Sequence, residues 1–189
     1  MAVINGVEIF TTWSEYEPFA QWLCVVMEPR LIVDIGTYEG YSAFIFGKYA
    51  PKGKVITVDK FPDSKVEEQF KRNMNKLKFS NVIGAKINNP IDTLDLFKGF
   101  VDILHIDGDH TYGSVKKDYD TFIHVMGSKS CILMHDVKNK AFTGPKRIYE
   151  ESPAMKMIIP GAYGLGFLTW DADLFDKVWS WRRSRKQKL

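Results

Sequence analysis

Long apolar runs are missing from this 189-residue sequence. None approaches the ~18 residues that a membrane-spanning helix needs, which argues against an integral membrane protein. Residues 1–15 also lack the basic start and apolar stretch of a signal peptide, so a cytoplasmic chain is expected. Cysteine is scarce. Cys24 and Cys131 both sit among apolar neighbours, which favours two buried thiols over one disulfide. Internal repeats and low-complexity linkers are absent, so one domain over 1–181 is expected. The body has no excess of positive charge. Of the formal net +3, five cations (Arg182, Arg183, Arg185, Lys186 and Lys188) lie in the acid-free segment 182–189, and removing them leaves −2. That segment reads as a solvated basic tail, with contact to phosphate or an acidic surface as the alternative. What remains, 45% hydrophobic and 26% charged residues, is the composition of an ordered globular domain.

Asn5-Gly6 between β-formers predicts a small hairpin. Ser14 with Glu17, and Ser64 with Glu67, have capping-box spacing and predict helix starts. The first helix carries Phe19, Trp22, Leu23 and Val26 and is stopped by Pro29, so residues 1–28 read as an N-terminal hairpin and helix. Strands and helices then alternate. Strands are expected at 31–36, 54–59, 81–87, 100–107 and 131–136. Helices are expected at 41–50, from 64, at 90–98, 112–126 and 144–151. KMIIPG and GLGFLTW, joined by a Gly-rich turn, read as an antiparallel hairpin. This alternation predicts an α/β fold, a mostly parallel sheet with helices on both faces, whose ligands bind at the carboxyl ends of the strands.

The 31–36 strand runs into Asp34-Ile35-Gly36-Thr37-Tyr38-Glu39-Gly40 and then a helix. Glycines let the backbone turn tightly near a ligand, and a helix N-terminus offers free N–H groups. Asp59 ends the next strand 19 residues after Gly40, placed to accept hydrogen bonds from a ribose diol. The loop lacks the middle glycine of the dinucleotide fingerprint and carries Tyr38 and Glu39, which disfavour a pyrophosphate. Asp34 could attract an ammonium group. A ligand with ribose, adenine and a cationic amino-acid part fits better, namely S-adenosylmethionine (SAM).

The D-x-G-x-x-x-G-x-S run at 34–42, Asp59, HIDGDHTY at 105–112, ILMHDV at 132–137 and GLGFLTW at 164–170 resemble class I SAM-dependent methyltransferases. More narrowly, they are similar to the small family of macrolide-sugar O-methyltransferases and cephalosporin-hydroxylase-like proteins. The resemblance covers about residues 28–171. It implies a Rossmann-like three-layer αβα sandwich with a seven-stranded sheet of order 3-2-1-4-5-7-6. It also implies a cofactor set of Asp34, Gly36, Tyr38, Gly40, Ser42, Asp59, Asn88 (or Asn89) and Asp107. Gly36 and Gly40 would line the methionine part, with Asp34 near its amino group. Asp59 would hold the ribose hydroxyls, and Asn88 or Asn89 would lie near the adenine.

Asp107, Asp109 and His110 end one strand, and His135 and Asp136 end the next. Crowded carboxylates need a cation or a shared proton. In one reading Asp107, Asp109 and Asp136 hold Mg²⁺, which binds a substrate hydroxyl and lowers its pKa. In the other, Asp109 or His110 is a general base without metal. A third reading is a turn network in which Asp109 caps the helix at 112. The resemblance implies a metal ligand at Asp107 and a base at Asp109, and catechol-type relatives carry a lysine base at the position of His110. Both groups place a second polar ligand after the strand-end Asp, where this chain has Val137. Strand alternation points His135 away from Asp136.

The expected function is methyl transfer to a hydroxyl of a small molecule, a sugar or secondary metabolite. The alternative is a non-catalytic SAM-binding or assembly protein. A nucleic-acid methyltransferase is disfavoured, since no Asn/Asp/Ser-Pro-Pro-aromatic motif or Pro-Cys nucleophile occurs and the body is not basic. Small members of this fold often lack a lid, and a homodimer partner could close the site. Among other residues, Trp170, Trp179 and Trp181 are expected to pack against the sheet, with a substrate wall as the alternative. Lys146 and Arg147 are expected on a solvated helix face.

Overall fold

Asn5 and Gly6 both take left-handed backbone (φ 46° and 81°) and turn strand β1 (Ala2–Ile4) back onto β2 (Val7–Ile9), as Asn-Gly predicts. The computed structural model describes residues 1–186, which fall into two units, Met1–Gly99 and the part from Phe100 onward. In the first unit the hairpin is followed by helix α1 (Glu17–Met27), β3 (Leu31–Ile35), α2 (Tyr41–Tyr49), β4 (Lys54–Asp59), α3 (Ser64–Leu77), β5 (Val82–Lys86) and a 3₁₀ segment (Pro90–Leu96). β3 and β5 both pair parallel to β4. In the second unit β6 (Val101–Ile106), α4 (Tyr112–Ile123), β7 (Met126–Met134), α5 (Thr143–Glu151), β8 (Met155–Ile159), β9 (Leu165–Thr169) and α6 (Ala172–Lys186) follow in turn. There β6 and β7 are parallel, while β9 runs antiparallel to both β7 and β8. The seven strands β3 to β9 form one sheet in the order β5-β4-β3-β6-β7-β9-β8, flanked by helices. Counted from β3, that is the expected 3-2-1-4-5-7-6.

Burial explains the element types. All five residues of β3 are buried, as in a strand covered on both faces. Tyr41–Gly47 of α2 are buried throughout, so this helix is apolar all round rather than striped. The carboxylate of Glu17 accepts hydrogen bonds from the Tyr41 hydroxyl (2.7 Å) and the Tyr49 hydroxyl (2.8 Å), tying α1 to α2. Both cysteines are free and buried, and burial pushes the Cys24 thiol up to about 12.

Several local expectations are corrected. Ser14 does not cap α1. Residues Ser14–Tyr16 form a 3₁₀ turn around the buried Trp13 and Tyr16, and α1 starts after Tyr16 without a side-chain cap. At α3 the cap is Asp63, which accepts from the Lys65 N–H (2.8 Å), while Glu67 pairs with Lys71 and Lys86. Strand β7 begins at Met126, five residues early. The segment after 171 is helical, with Asp171 accepting from the Leu174 N–H (3.0 Å) at its start. Arg182, Arg183 and Arg185 therefore lie on α6, and Lys188 is outside the described residues. Trp170 and Trp179 are exposed rather than packed on the sheet; Arg182 lies over the Trp179 ring and Arg185 over that of Trp181. Lys146 and Arg147 pair with Glu150 and Glu151 on the exposed face of α5, as expected.

Two glycines of the second unit differ in what surrounds them. A Cβ on Gly144 would lie 2.4 Å from the His110 carbonyl oxygen, whereas one on Gly113 would meet nothing within 4 Å. Gly144→Ala should therefore destabilise by about 1–3 kcal/mol through overpacking against backbone. Gly113→Ala in α4 should be neutral or stabilise by up to about 1 kcal/mol. Denaturant midpoints of the two variants check the opposite signs.

Candidate active site

In the first unit, the turn after β3 holds three left-handed residues, Gly36 (φ 94°), Tyr38 (φ 49°) and Gly40 (φ 94°). A Cβ on Gly40 would also sit 2.5 Å from the Phe44 ring and 2.9 Å from that of Phe70, so both conformation and space require glycine. Asp34 is fully buried. Its two carboxylate oxygens accept from the Ser42 hydroxyl (3.0 Å) and the Thr57 hydroxyl (2.6 Å), and Thr37 meets Thr57 at 2.7 Å. Asp34 and Ser42 thus brace the loop from beneath.

Asp59, half-buried at the end of β4, accepts from the backbone N–H of Tyr38 (3.0 Å) and of Phe61 (2.7 Å). Each carboxylate oxygen keeps a lone pair for a further donor. Glu39 accepts from the Phe10 N–H (2.8 Å), so this acid ties the N-terminal segment to the loop. Asn88 is exposed. The side-chain oxygen of Asn89 is buried with no hydrogen-bond partner among the described residues. The sequence reading missed Thr57, although a lone hydroxyl in the buried strand KVITVD was its signal.

In the second unit, four of the five expected strand-end groups come together. His110 Nε2 lies 2.9 Å from Asp136 Oδ2 and 3.4 Å from Asp107 Oδ1. His135 Nδ1 lies 3.1 Å from Asp107 Oδ1 and 3.3 Å from Asp136 Oδ2. The expectation that His135 points away from Asp136 is corrected. Strand β7 ends at Met134, and Asp136 takes left-handed backbone (φ 63°), which breaks the alternation and returns its carboxylate to the side of His135. Asn139, missed in the sequence, donates to Asp136 Oδ1 (2.9 Å).

Asp109 is bonded differently. It accepts from the Thr111 N–H (2.9 Å) and the Ser114 hydroxyl (3.0 Å), which hold the turn before α4, but the cap expected of it is Thr111, whose hydroxyl accepts from the Ser114 N–H (3.4 Å). Among the described residues, the donors able to converge on one ion are Asp107, His110 and Asp136, with ligand atoms within 4.8 Å of one another. Asp109 is not among them, and Val137 is buried and apolar.

The electrostatics follow from this pairing. Burial alone would lower the pKa of both histidines, but the hydrogen bonds and charges of Asp107 and Asp136 outweigh it. His110 is raised to about 9 and His135 to about 10. Burial likewise works to raise the two carboxyls, and the bonds from both histidines hold them below the ordinary carboxylate value.

A family model described as a methyltransferase domain matches residues 33–137, more than half of the sequence, and the chain belongs to that family. An uncharacterised protein of Sinorhizobium fredii, y4gI, is 30% identical over 181 residues, 87% of this chain and 20% of that protein. The chain thus spans about a fifth of that relative's length. Among solved structures, an O-methyltransferase from Bacillus cereus in complex with SAH aligns at TM-score 0.65 and 19% identity, covering 84% of this chain and 80% of that one. CalS11, a TDP-rhamnose 3′-O-methyltransferase of calicheamicin biosynthesis, aligns at 0.68 and 13%, covering 83% and 79%. At these identities the likeness is one of fold.

The paired cluster sets a pH dependence of stability. The histidines, raised above their unfolded value of about 6.5, stabilise fully below that pH and lose the contribution as pH rises through 9 to 10. The depressed carboxylates contribute above about pH 4 and lose it below. The melting temperature should therefore fall between pH 6.5 and 10, and His135→Gln should flatten that limb. Parallel profiles for the two proteins would contradict the pairing.

Proposed function

We propose that this chain is a SAM-dependent O-methyltransferase acting on a hydroxyl of a small molecule, a sugar or a secondary metabolite. His110 is the general base. The observation that carries this reading is the 2.9 Å contact of His110 Nε2 with Asp136, beside a second carboxylate, in a chain of the methyltransferase-domain family. The likeness in fold to an SAH-bound O-methyltransferase and to a TDP-rhamnose 3′-O-methyltransferase supports the cofactor and the acceptor class.

The first unit suits SAM. Gly36, Tyr38 and Gly40 form a loop whose backbone can approach the methionine part, and Asp59 has lone pairs for the ribose hydroxyls. Asn89 has a buried oxygen, without a hydrogen-bond partner among the described residues, to offer the adenine region. Bound SAM supplies a methyl group already activated by its sulfonium. The chain must then orient the acceptor and take one proton. With Nε2–H donating to Asp136, the neutral tautomer of His110 presents Nδ1 to the hydroxyl. Asp136 then stabilises the imidazolium that forms.

No step is assigned to Mg²⁺. That ion takes a near-octahedral set of oxygens. Here Asp109 is bonded to the α4 turn, Val137 offers no donor, and the converging set contains an imidazole. Such a set suits borderline ions better than Mg²⁺.

SAM or SAH at 100 times its dissociation constant should stabilise by about 2.7 kcal/mol, a melting shift of roughly 5–10 °C. NAD should give none, and Asp59→Ala should abolish the shift. Its absence in the wild-type chain would remove the cofactor assignment. With labelled SAM and a panel of hydroxylated acceptors, His110→Ala should lower kcat by about 10²–10⁴ with SAM affinity unchanged. Activity should rise with pH toward about 9 as His110 loses its proton, and EDTA or added Mg²⁺ should leave it unaltered. Cofactor binding without turnover on any acceptor would favour a non-catalytic SAM-binding protein.

A further inference from the structure

The His110 ring has two faces, and its edge contacts with Asp136 and Asp107 do not by themselves fix the plane in which it lies. Phe142 stacks on the imidazole, with centroids 4.2 Å apart and planes 11° from parallel. Phe142 is exposed (36%) apart from this contact and sits in extended backbone just before α5. It is tied back to the other half of the pair. Asn139 donates to the Asp136 carboxylate (2.9 Å), its side-chain oxygen accepts from the Ala141 N–H (3.0 Å), and its carbonyl accepts from the Phe142 N–H (3.3 Å). One short turn therefore carries both the carboxylate that meets the edge of His110 and the ring that covers its face. Gly144, two residues on, lets the start of α5 lie against the His110 carbonyl.

We infer that Phe142 is a positioning residue that holds the His110 imidazole in the plane where Nε2 meets Asp136 and Nδ1 is left for the substrate proton. This rests on the role of His110 proposed above. The physical reason is the softness of the ring torsion. A terminal χ2 of histidine is broad and roughly two-fold, and both carboxylate contacts are made by one ring atom, Nε2, so the ring can still swing about that atom. A stacked aromatic face removes the tilt, and its attraction strengthens when the imidazole becomes cationic. An aliphatic side chain of similar size would fill the space without defining a plane.

The test uses the full chain with Phe142→Leu and Phe142→Tyr, and Phe142→Met as a second aliphatic variant. Nitrogen-15 NMR of the histidines, assigned by His110→Gln, reads the tautomer of His110 at alkaline pH independently of turnover. Wild type and Phe142→Tyr should show one Nε2–H tautomer. The Leu and Met variants should show a mixture, with loss of the upfield ring-current shift of the His110 protons. In turnover, Phe142→Leu should lower kcat at least tenfold with SAM affinity unchanged, and Tyr should restore it to within threefold. In a His110→Ala background the Leu change should cost nothing, because the two residues act as one unit. A single unchanged tautomer in the Leu and Met variants overturns the inference, as does an equal loss of kcat in the His110→Ala background. If the wild-type chain transfers no methyl group to any acceptor, the functional reading fails, and the tautomer result alone decides the role of Phe142.

Discussion

Two carboxylates, Asp107 and Asp136, converge where β6 and β7 end, and their repulsion has to be balanced before that end of the sheet can form. His110 and His135 supply the balance, each meeting both acids. Much of the surrounding chain follows from that requirement. Asp136 adopts left-handed backbone to bring its carboxylate round, and the turn from 136 to 142 closes through Asn139. The same turn is fastened to the β8–β9 loop, since the N–H groups of Val137 and Lys138 donate to the carbonyls of Gly164 and Tyr163. A cluster that carries its own counter-charges is also one in which proton transfer changes the local charge balance. The chemistry proposed for His110 uses that coupling.

The glycine loop solves a related problem with hydroxyls. Asp34 is buried beneath the turn and accepts from Ser42 and Thr57. Asp59 accepts from two backbone N–H groups that would otherwise point into the loop. The loop is thus held by side chains from β3, β4 and α2. Glu39, a charge that disfavours a pyrophosphate, also anchors the segment after the β1–β2 hairpin through the Phe10 N–H. An acid can serve both ends because its second oxygen and its charge remain available.

Membership of the methyltransferase-domain family places these two constructions in one kind of protein, and the departures from the narrower resemblance fall on one side. The glycine loop keeps its left-handed turns, and Asp59 ends β4. The cluster of the second unit differs: Asp109 holds the turn before α4, whose cap is Thr111, Val137 stands where the resemblance implies a polar residue, and His135 joins the two acids. Under the proposed function the first construction serves the cofactor and the second the acceptor, and the groups that meet an acceptor vary with it.

Strand and helix alternation was legible because a strand buried on both faces reads as a continuous apolar run, and LIVDIG, KVITVD and CILMHD are such runs. The Asn5-Gly6 turn and the glycine loop were legible because positive φ selects glycine and asparagine. The capping boxes at Ser14 and Ser64 misled because three-residue spacing cannot tell a cap from its neighbour. Burial of Trp13 and Tyr16 displaced one, and Asp63 pre-empted the other. Helix α6 was missed because its apolar contacts, Leu174 and Val178, are sparse among charges. The sequence by itself determined the order of elements and which polar residues end the strands, since both depend on local pattern. Only the tertiary structure decided which of those residues meet. Asp109 and Asp107 are two positions apart, yet one holds the turn before α4 and the other joins two histidines, because the start of α4 offers Asp109 its donors while the end of β7 brings His135 to Asp107.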